Sequence, residues 1–173
     1  MELEQAISGR YSVRDYSPGP VKRQLIEQIL ELARMAPSAV NLQPWHFIVI
    51  TEKGAREALW PVYHREWFRT APVVIVACLD REASWKRGID GHDFGEVDLA
   101  LAIDHLTLAA TASGLGSCWI CNFNEQLARH ILDLPRHLEP LALITLGYPQ
   151  GNPPLKKRKS LREIVSWEKY TSP

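Results

Sequence analysis

The sequence predicts a single layered domain of the α/β or α+β class, and three observations carry that prediction. Short β-branched or apolar runs at His46–Thr51, Val73–Leu79 and Leu141–Leu146 have strand length, and amphipathic stretches of helix length separate them. No internal repeat and no second domain is legible, so residues 1–173 read as one unit. With 46% hydrophobic residues, a chain of 173 residues is long enough to bury one sizeable core.

Each element has its own reason. Lys22 to Ala36 reads as a helix because Leu25, Ile29, Leu32 and Ala36 recur at spacings of three and four, and Pro37 stops it. His46 to Thr51 reads as a strand through Ile48, Val49 and Ile50, and Lys53 to Leu59 as a short helix. Val73 to Leu79 is apolar at every position, as expected of a strand buried on both faces. Val97 to Ser113 is the best helix, with Ala100, Ile103, Leu106, Ala109 and Ala110 forming a wide apolar face and Gly114 placed to end it. Ser117 to Ile120 is a further short strand. Asn124 is an N-cap candidate for a helix through Leu132, and Leu141 to Leu146 is the last strand. Gln150 to Ser160 is rich in Gly, Pro and basic residues and reads as extended. Ser160-Leu161-Arg162-Glu163 has capping-box spacing and opens a terminal helix.

Composition excludes several classes. Lys plus Arg equals Asp plus Glu, 20 each, so no global field draws the chain to nucleic acid or to an anionic membrane. The longest apolar runs are too short to span a bilayer, and Glu2 and Glu4 are the opposite of a basic signal-peptide start. Three cysteines, an odd number, fit a reducing compartment, so a cytoplasmic location is expected.

The segment Ala36 to Phe47 is the most informative. Two prolines, Pro37 and Pro44, pin a short loop that offers Ser38, Asn41 and Gln43 between them. Amides both donate and accept, which suits the edge of a planar heterocycle. Gly114-Leu115-Gly116-Ser117-Cys118-Trp119-Ile120 supplies flexible backbone for close approach of such a ring. Arg10 and Arg14 lie four apart around Ser12, and Lys156-Lys157-Arg158-Lys159 adds a basic run near the other end. Guanidinium forks bind phosphate well, although on composition alone a basic run is more often solvated surface.

Other constellations are weaker. Cys118 and Cys121 form a Cys-x-x-Cys, but the pair comes late and straddles apolar Trp119-Ile120, which reads as strand, so packing is favoured over a redox or metal role. The six histidines show no metal-binding spacing, and His105 in the long helix reads as structural. Neither a nucleophile elbow nor a Walker-type phosphate loop occurs.

Taken together, Arg10-Tyr11-Ser12-Val13-Arg14, the loop from Pro37 to Trp45 and the stretch Gly114 to Asn122 resemble the nitroreductase family of FMN-dependent oxidoreductases. The resemblance implies a three-layer α+β sandwich with a central, mostly antiparallel sheet. It also implies a domain-swapped homodimer with two FMN sites at the interface, and a tail, residues 148–173, that embraces the partner subunit. Arg10, Tyr11, Ser12 and Arg14, with Lys156 and Arg158, would hold the FMN phosphate. Pro37, Ser38, Ala39, Asn41 and Gln43 would border the ring from the partner subunit. Ala39 stands where the family usually has a second serine. Trp119, Ile120, Cys121 and Asn122 would run beneath the ring and offer backbone N–H groups toward N5 and O4. Larger members bring a lysine to the pyrimidine edge; here Arg65 or Arg69 would have to supply that charge. No side chain need serve as catalyst, since flavin N5 carries the chemistry, and no metal is implied. The implied activity takes hydride from NADH or NADPH and passes it to a small electron-poor acceptor such as a nitroaromatic or quinone. A non-catalytic flavin carrier or sensor, and a thiol redox protein using Cys118 and Cys121, are the alternatives.

Overall fold

The computed structural model describes residues 1–172. Four strands form one sheet in the order β1-β2-β4-β3: β1 Trp45–Ile50, β2 Val73–Asp80, β3 Gly116–Ile120 and β4 Leu138–Gly147. Every neighbouring pair is antiparallel, with β2 and β4 at the centre. Helices α1 Leu3–Gly9, α2 Arg23–Ala33, α3 Lys53–Ala58, α4 Gly95–Ala112, α5 Glu125–Ile131 and α6 Leu161–Ile164 complete the described elements, with short 3-10 turns at Ala39–Asn41, Trp60–Val62 and Glu66–Thr70.

Strand alternation builds the layers. Val73, Ile75, Ala77 and Leu79 of β2 and Ala142, Ile144 and Leu146 of β4 face α2 and α4, where Ile26, Ile29, Leu99, Ile103 and Leu106 meet them. The intervening residues Val74, Val76, Cys78 and Leu143 face the other way, onto Leu59, Val62, Phe68 and Ala128. Helices therefore cover both faces of an antiparallel sheet, the expected three-layer α+β sandwich. Each fully buried Ile or Leu in these clusters contributes about 1.5–3 kcal/mol.

Boundaries differ from the sequence reading where local chemistry overrides periodicity. Helix α2 ends at Ala33 rather than Ala36, and Met35 and Ala36 close tighter turns onto Leu32 and Ala33. The residue before a proline is driven out of the helical region, and that shortening propagates back from Pro37. Helix α4 ends with Gly114 at φ +76: Gly114 N–H donates to the Thr111 carbonyl and Leu115 N–H to the Ala110 carbonyl, a Schellman stop. Asn124 caps α5 by accepting from Leu127 N–H at 3.0 Å. The Ser160 capping box forms and opens α6.

Candidate functional site

Residues 10–16 form an arm along the free edge of β3. Val13 N–H donates to the Ser117 carbonyl at 2.9 Å, and Ser12 pairs with Ser117 in a parallel bridge. Gly116 permits this approach, because a Cβ there would stand 2.5 Å from Val13 Cγ2. The sequence offers Gly114 to Ile120 as flexible backbone for close approach of a ring. The space is instead filled by the protein's own arm. Tyr16 anchors the arm from below: its hydroxyl lies 2.6 Å from Thr145 Oγ1 and donates or accepts there, with the Val13 carbonyl at 3.0 Å. Burial raises the Tyr16 pKa above its ordinary value.

Three cations gather at the start of this arm. Lys156 Nζ donates to the Ser8 carbonyl at the end of α1. Partial burial lowers the Lys156 pKa, and the charges of Arg10 and Arg158 lower it further. None of Arg10, Arg14, Lys156 and Arg158 has a carboxylate within ion-pair distance among the described residues, whereas Arg23, Arg34, Arg69, Arg81 and Arg87 all do. Like charges held together without a counter-charge suit a dianion. The Arg14 guanidinium carbon lies 6.0 Å over the Trp67 ring. Arg10 and Tyr11 also line a small cavity of about 130 Å³ with Thr111 and Gly114.

Beyond Ser117 the edge of β3 is open. The Ser117 carbonyl points to the arm, and alternation along a strand turns the N–H and C=O of Trp119 to the same side. Trp119 is 38% exposed, Ile120 is buried, and Cys121 and Asn122 are exposed just past the strand. Past the end of β3, Asn122 joins Tyr63, His64 and Arg65 around a cavity of about 350 Å³. This separates the two arginines of the sequence reading. Arg65 lines the cavity, while Arg69 is held by Glu66 at 3.5 Å and lies 5.3 Å over the Trp60 ring.

The loop 38–43 is a strained, self-closed turn. Val40, Asn41 and Gln43 all have positive φ, at 48°, 59° and 52°. Gln43 N–H donates to Ser38 Oγ at 2.9 Å, and Gln43 Nε2 donates to the Asn41 carbonyl and Oδ1 at 3.2 and 3.3 Å. The Ser38 hydroxyl proton and the Asn41 amide hydrogens remain to be offered outward. Pro37 leads into the loop from α2, and Ala39 N–H donates to Asp98 Oδ1 at 3.0 Å in the first turn of α4.

The arm and the loop are not brought together within one chain. The loop is tied to Asp98, whereas the arm packs near Thr111 in the last turn of the same helix. At about 1.5 Å per residue those turns lie about 20 Å apart along α4.

Cys118 and Cys121 differ in their surroundings. Cys118 is buried within β3, whereas Cys121 is exposed just past its end, and both are free thiols. Burial raises the Cys118 pKa, against the opposing effects of Arg14, Ser12 and Arg10. Tyr16, Trp67 and Asp98 were missed in the sequence. Asp98 carried a signal: it shares a helix face with buried Leu99, Ala102 and Ile103, where a carboxylate is out of place.

The fold and this basic arm define the class: a two-sided α+β sandwich with a cluster of cations at one end of an open strand edge. A model of the Nitroreductase family matches residues 7–67 and 57–148, and the chain belongs to that family. It is 30% identical to an NADH dehydrogenase of Thermus thermophilus, covering 96% of each chain. It is 27% identical to an FMN reductase [NAD(P)H] of Bacillus subtilis, covering 98% of this chain and 74% of that protein. A crystal structure of a nitroreductase family protein from Clostridium difficile superposes with a TM-score of 0.91 at 35% identity, covering 98% of this chain and 100% of the other.

Proposed function

We propose that this chain is an NAD(P)H-dependent FMN oxidoreductase that passes hydride to a small electron-poor acceptor, a nitroaromatic or a quinone. The observation that carries the reading is the unneutralised group Arg10, Lys156 and Arg158 at one end of the open β3 edge, with Arg65 and Asn122 at the other. The residues fit the cofactor: the cations would hold its phosphate, the open edge would face its heterocycle, and Arg65 and Asn122 line the cavity beyond. The enzyme class and the cofactors agree with the family and with the names of the relatives.

Bound FMN supplies hydride acceptance from NAD(P)H and hydride delivery to the acceptor. The chain supplies binding, orientation and electrostatics. Arg10, Lys156 and Arg158 would hold the phosphate, and Tyr11 lines the cavity beside Arg10. The backbone N–H of Trp119 lies on the free edge of β3, where it would donate to electron-rich atoms of a bound flavin ring. Arg65 places positive charge at the Asn122 end. No side chain acts as an acid or base.

The ring-bordering loop then comes from a second copy. Ser38, Asn41 and Gln43 stand about 20 Å from the arm along α4, a separation that supports their reaching the cofactor from a partner subunit. Apolar side chains support a dimer: Leu3 and Ile7 on α1, Val97 and Leu101 on α4, and Leu161, Ile164, Trp167 and Tyr170 in the tail are exposed. Strand β1 is an open edge beside a cavity of about 530 Å³ lined by Val21, Ile26, Leu30 and Val49, a seat for the partner's residues 148–173. In this reading residues 1–173 act as one domain, in the cytoplasm. No described helix is long and apolar enough to cross a membrane.

The test is a visible spectrum of the purified protein, repeated anaerobically after adding NAD(P)H. Yellow flavin bands that bleach support the enzyme. Bands that persist indicate a flavin carrier instead, and a colourless protein that cannot be reconstituted with FMN refutes the reading.

A further inference from the structure

The loop 38–43 holds a conformation its residues disfavour. Val40 is β-branched and sits at φ 48°, ψ 22°, with the residue 74% exposed, so side-chain packing does not hold it there. Asn41 and Gln43 also have positive φ. Such residues cost on the order of 1–3 kcal/mol each and persist only when their surroundings over-determine them. The loop's own hydrogen bonds, Asn41 N–H to the Ser38 carbonyl, Leu42 N–H to the Ala39 carbonyl and Gln43 N–H to Ser38 Oγ, close it on itself. They do not fix it to the rest of the protein. Among the described residues, the hydrogen bond that joins 38–43 to a distant element is Ala39 N–H to Asp98 Oδ1, at 3.0 Å.

Asp98 is an unusual partner for that purpose. It is 4% exposed, on the apolar face of α4, and its second oxygen, Oδ2, is buried without a hydrogen-bond partner. A buried carboxylate that spends only one oxygen is costly, and a neutral side chain would be the ordinary choice for packing. The first turn of α4 offsets part of that cost through the helix dipole, but Glu96 provides the same favourable charge there from an exposed position.

We propose that Asp98 is the positioning residue of the loop that borders the flavin: its carboxylate fixes Ala39 and thereby sets Ser38, Asn41 and Gln43 in their offered geometry. This rests on the reading of 38–43 as ring-bordering, and it assigns to this chain a residue outside the cofactor's own contacts. Through the dimer, Asp98 of one subunit prepares the site completed by the other.

Two readouts test it. Hydrogen exchange of the apoprotein reports the loop with no cofactor present, and FMN titration reports the site. Asp98→Ala is expected to accelerate exchange across 38–43 and to weaken FMN binding about tenfold or more. Asp98→Asn keeps an acceptor for Ala39 N–H and is expected to stay within about threefold of wild type in both. A role limited to helix charge predicts instead that Asn is as harmful as Ala and that loop exchange is unchanged. Ala39→Pro removes the donor from the other side and keeps the test alive if Asp98→Ala fails to fold. Ser38, at φ −142° and ψ 158°, already has the extended conformation that precedes proline, but the ring would occupy the path to Asp98. The same acceleration and loss of FMN are expected. Unchanged exchange in a folded variant, or faster exchange with wild-type FMN affinity, overturns the role of Asp98. A wild-type protein that takes up no FMN refutes the cofactor reading instead, so the two failures are distinct.

Discussion

Tyr16 and Thr145, 129 residues apart in sequence, meet hydroxyl to hydroxyl at 2.6 Å beneath the basic arm. The Tyr16 hydroxyl also lies 3.0 Å from the Val13 carbonyl, so one buried oxygen ties the arm to the central strand β4. The positions of Arg10 and Ser12 depend on this anchor, because Val13 is the arm residue hydrogen-bonded to β3.

Replacing Tyr16 by Phe leaves Thr145 Oγ1 and the Val13 carbonyl short of a partner, at an expected cost of about 1–3 kcal/mol in urea unfolding. The cost of Thr145→Val should not add to it, since both remove the same contact. The pH dependence has a definite sign. Burial raises the Tyr16 pKa in the folded state above 10.0, so the unfolded chain loses this proton first. The contribution is complete below pH 10 and is lost as pH rises from there toward the folded value, with a slope of up to about 1.4 kcal/mol per unit. Tyr16→Phe should flatten that alkaline loss, and an unchanged slope above pH 10 would contradict the assignment.

Arg10 is expected to read the phosphate. Arg10→Ala should weaken FMN about tenfold to a hundredfold, the range of a lost charge-assisted hydrogen bond, and leave riboflavin binding nearly unchanged. Flavin fluorescence titration at two salt concentrations checks it, because the wild-type preference for FMN should shrink as salt rises. Equal losses for both flavins would place Arg10 elsewhere.

Much of this was legible in the sequence, and for identifiable reasons. The strands at 46–51, 73–79 and 141–146 were readable because apolar runs and β-branching leave little choice, and Gly114 and Asn124 marked element ends through local chemistry alone. Helix α1 was not read, since Leu3 and Ile7 form only a short apolar stripe and both are exposed. Gly116 looked like room for a ring. Only the fold reveals that Val13, from the far end of the chain, fills that room. Tyr16 and Asp98 escaped because their partners, Thr145 and Ala39, are distant in sequence, and no local pattern encodes such a pairing.

Arg65 and Arg69 separate by geometry. Arg65 lines the cavity with Asn122, while Arg69 is engaged by Glu66 and Trp60. Arg65→Ala should lower the flavin midpoint potential by about 20–40 mV, equal to roughly 1–2 kcal/mol for two electrons. Arg69→Ala should leave it almost unmoved. Spectroelectrochemical titration of both variants decides it, and the reverse order would move the charge to Arg69.

Cys118 is buried in β3 and Cys121 is exposed just past it, so a variant carrying Cys118→Ala and Cys121→Ser should keep its flavin content and turnover within about twofold of wild type. Burial also holds the Cys118 thiol protonated to higher pH than usual, which makes it a poor nucleophile. Loss of NAD(P)H-dependent turnover with the flavin still bound would revive the thiol mechanism.

Removing the tail beyond Gly147 should cost both the cofactor and the dimer, for two separate physical reasons. Lys156 and Arg158 belong to the cation group at the end of α1, so truncation leaves Arg10 to hold a dianion with little help. Leu161, Ile164, Trp167 and Tyr170 are exposed in the single chain, and covering them is a large part of what a partner would gain. A charge-only variant separates these effects. Lys156→Ala with Arg158→Ala should lose FMN while remaining dimeric, whereas the truncated chain should be colourless and monomeric by light scattering. A truncated protein that stays yellow and dimeric would remove the tail from both roles and leave the α1 and α4 faces to form the interface alone.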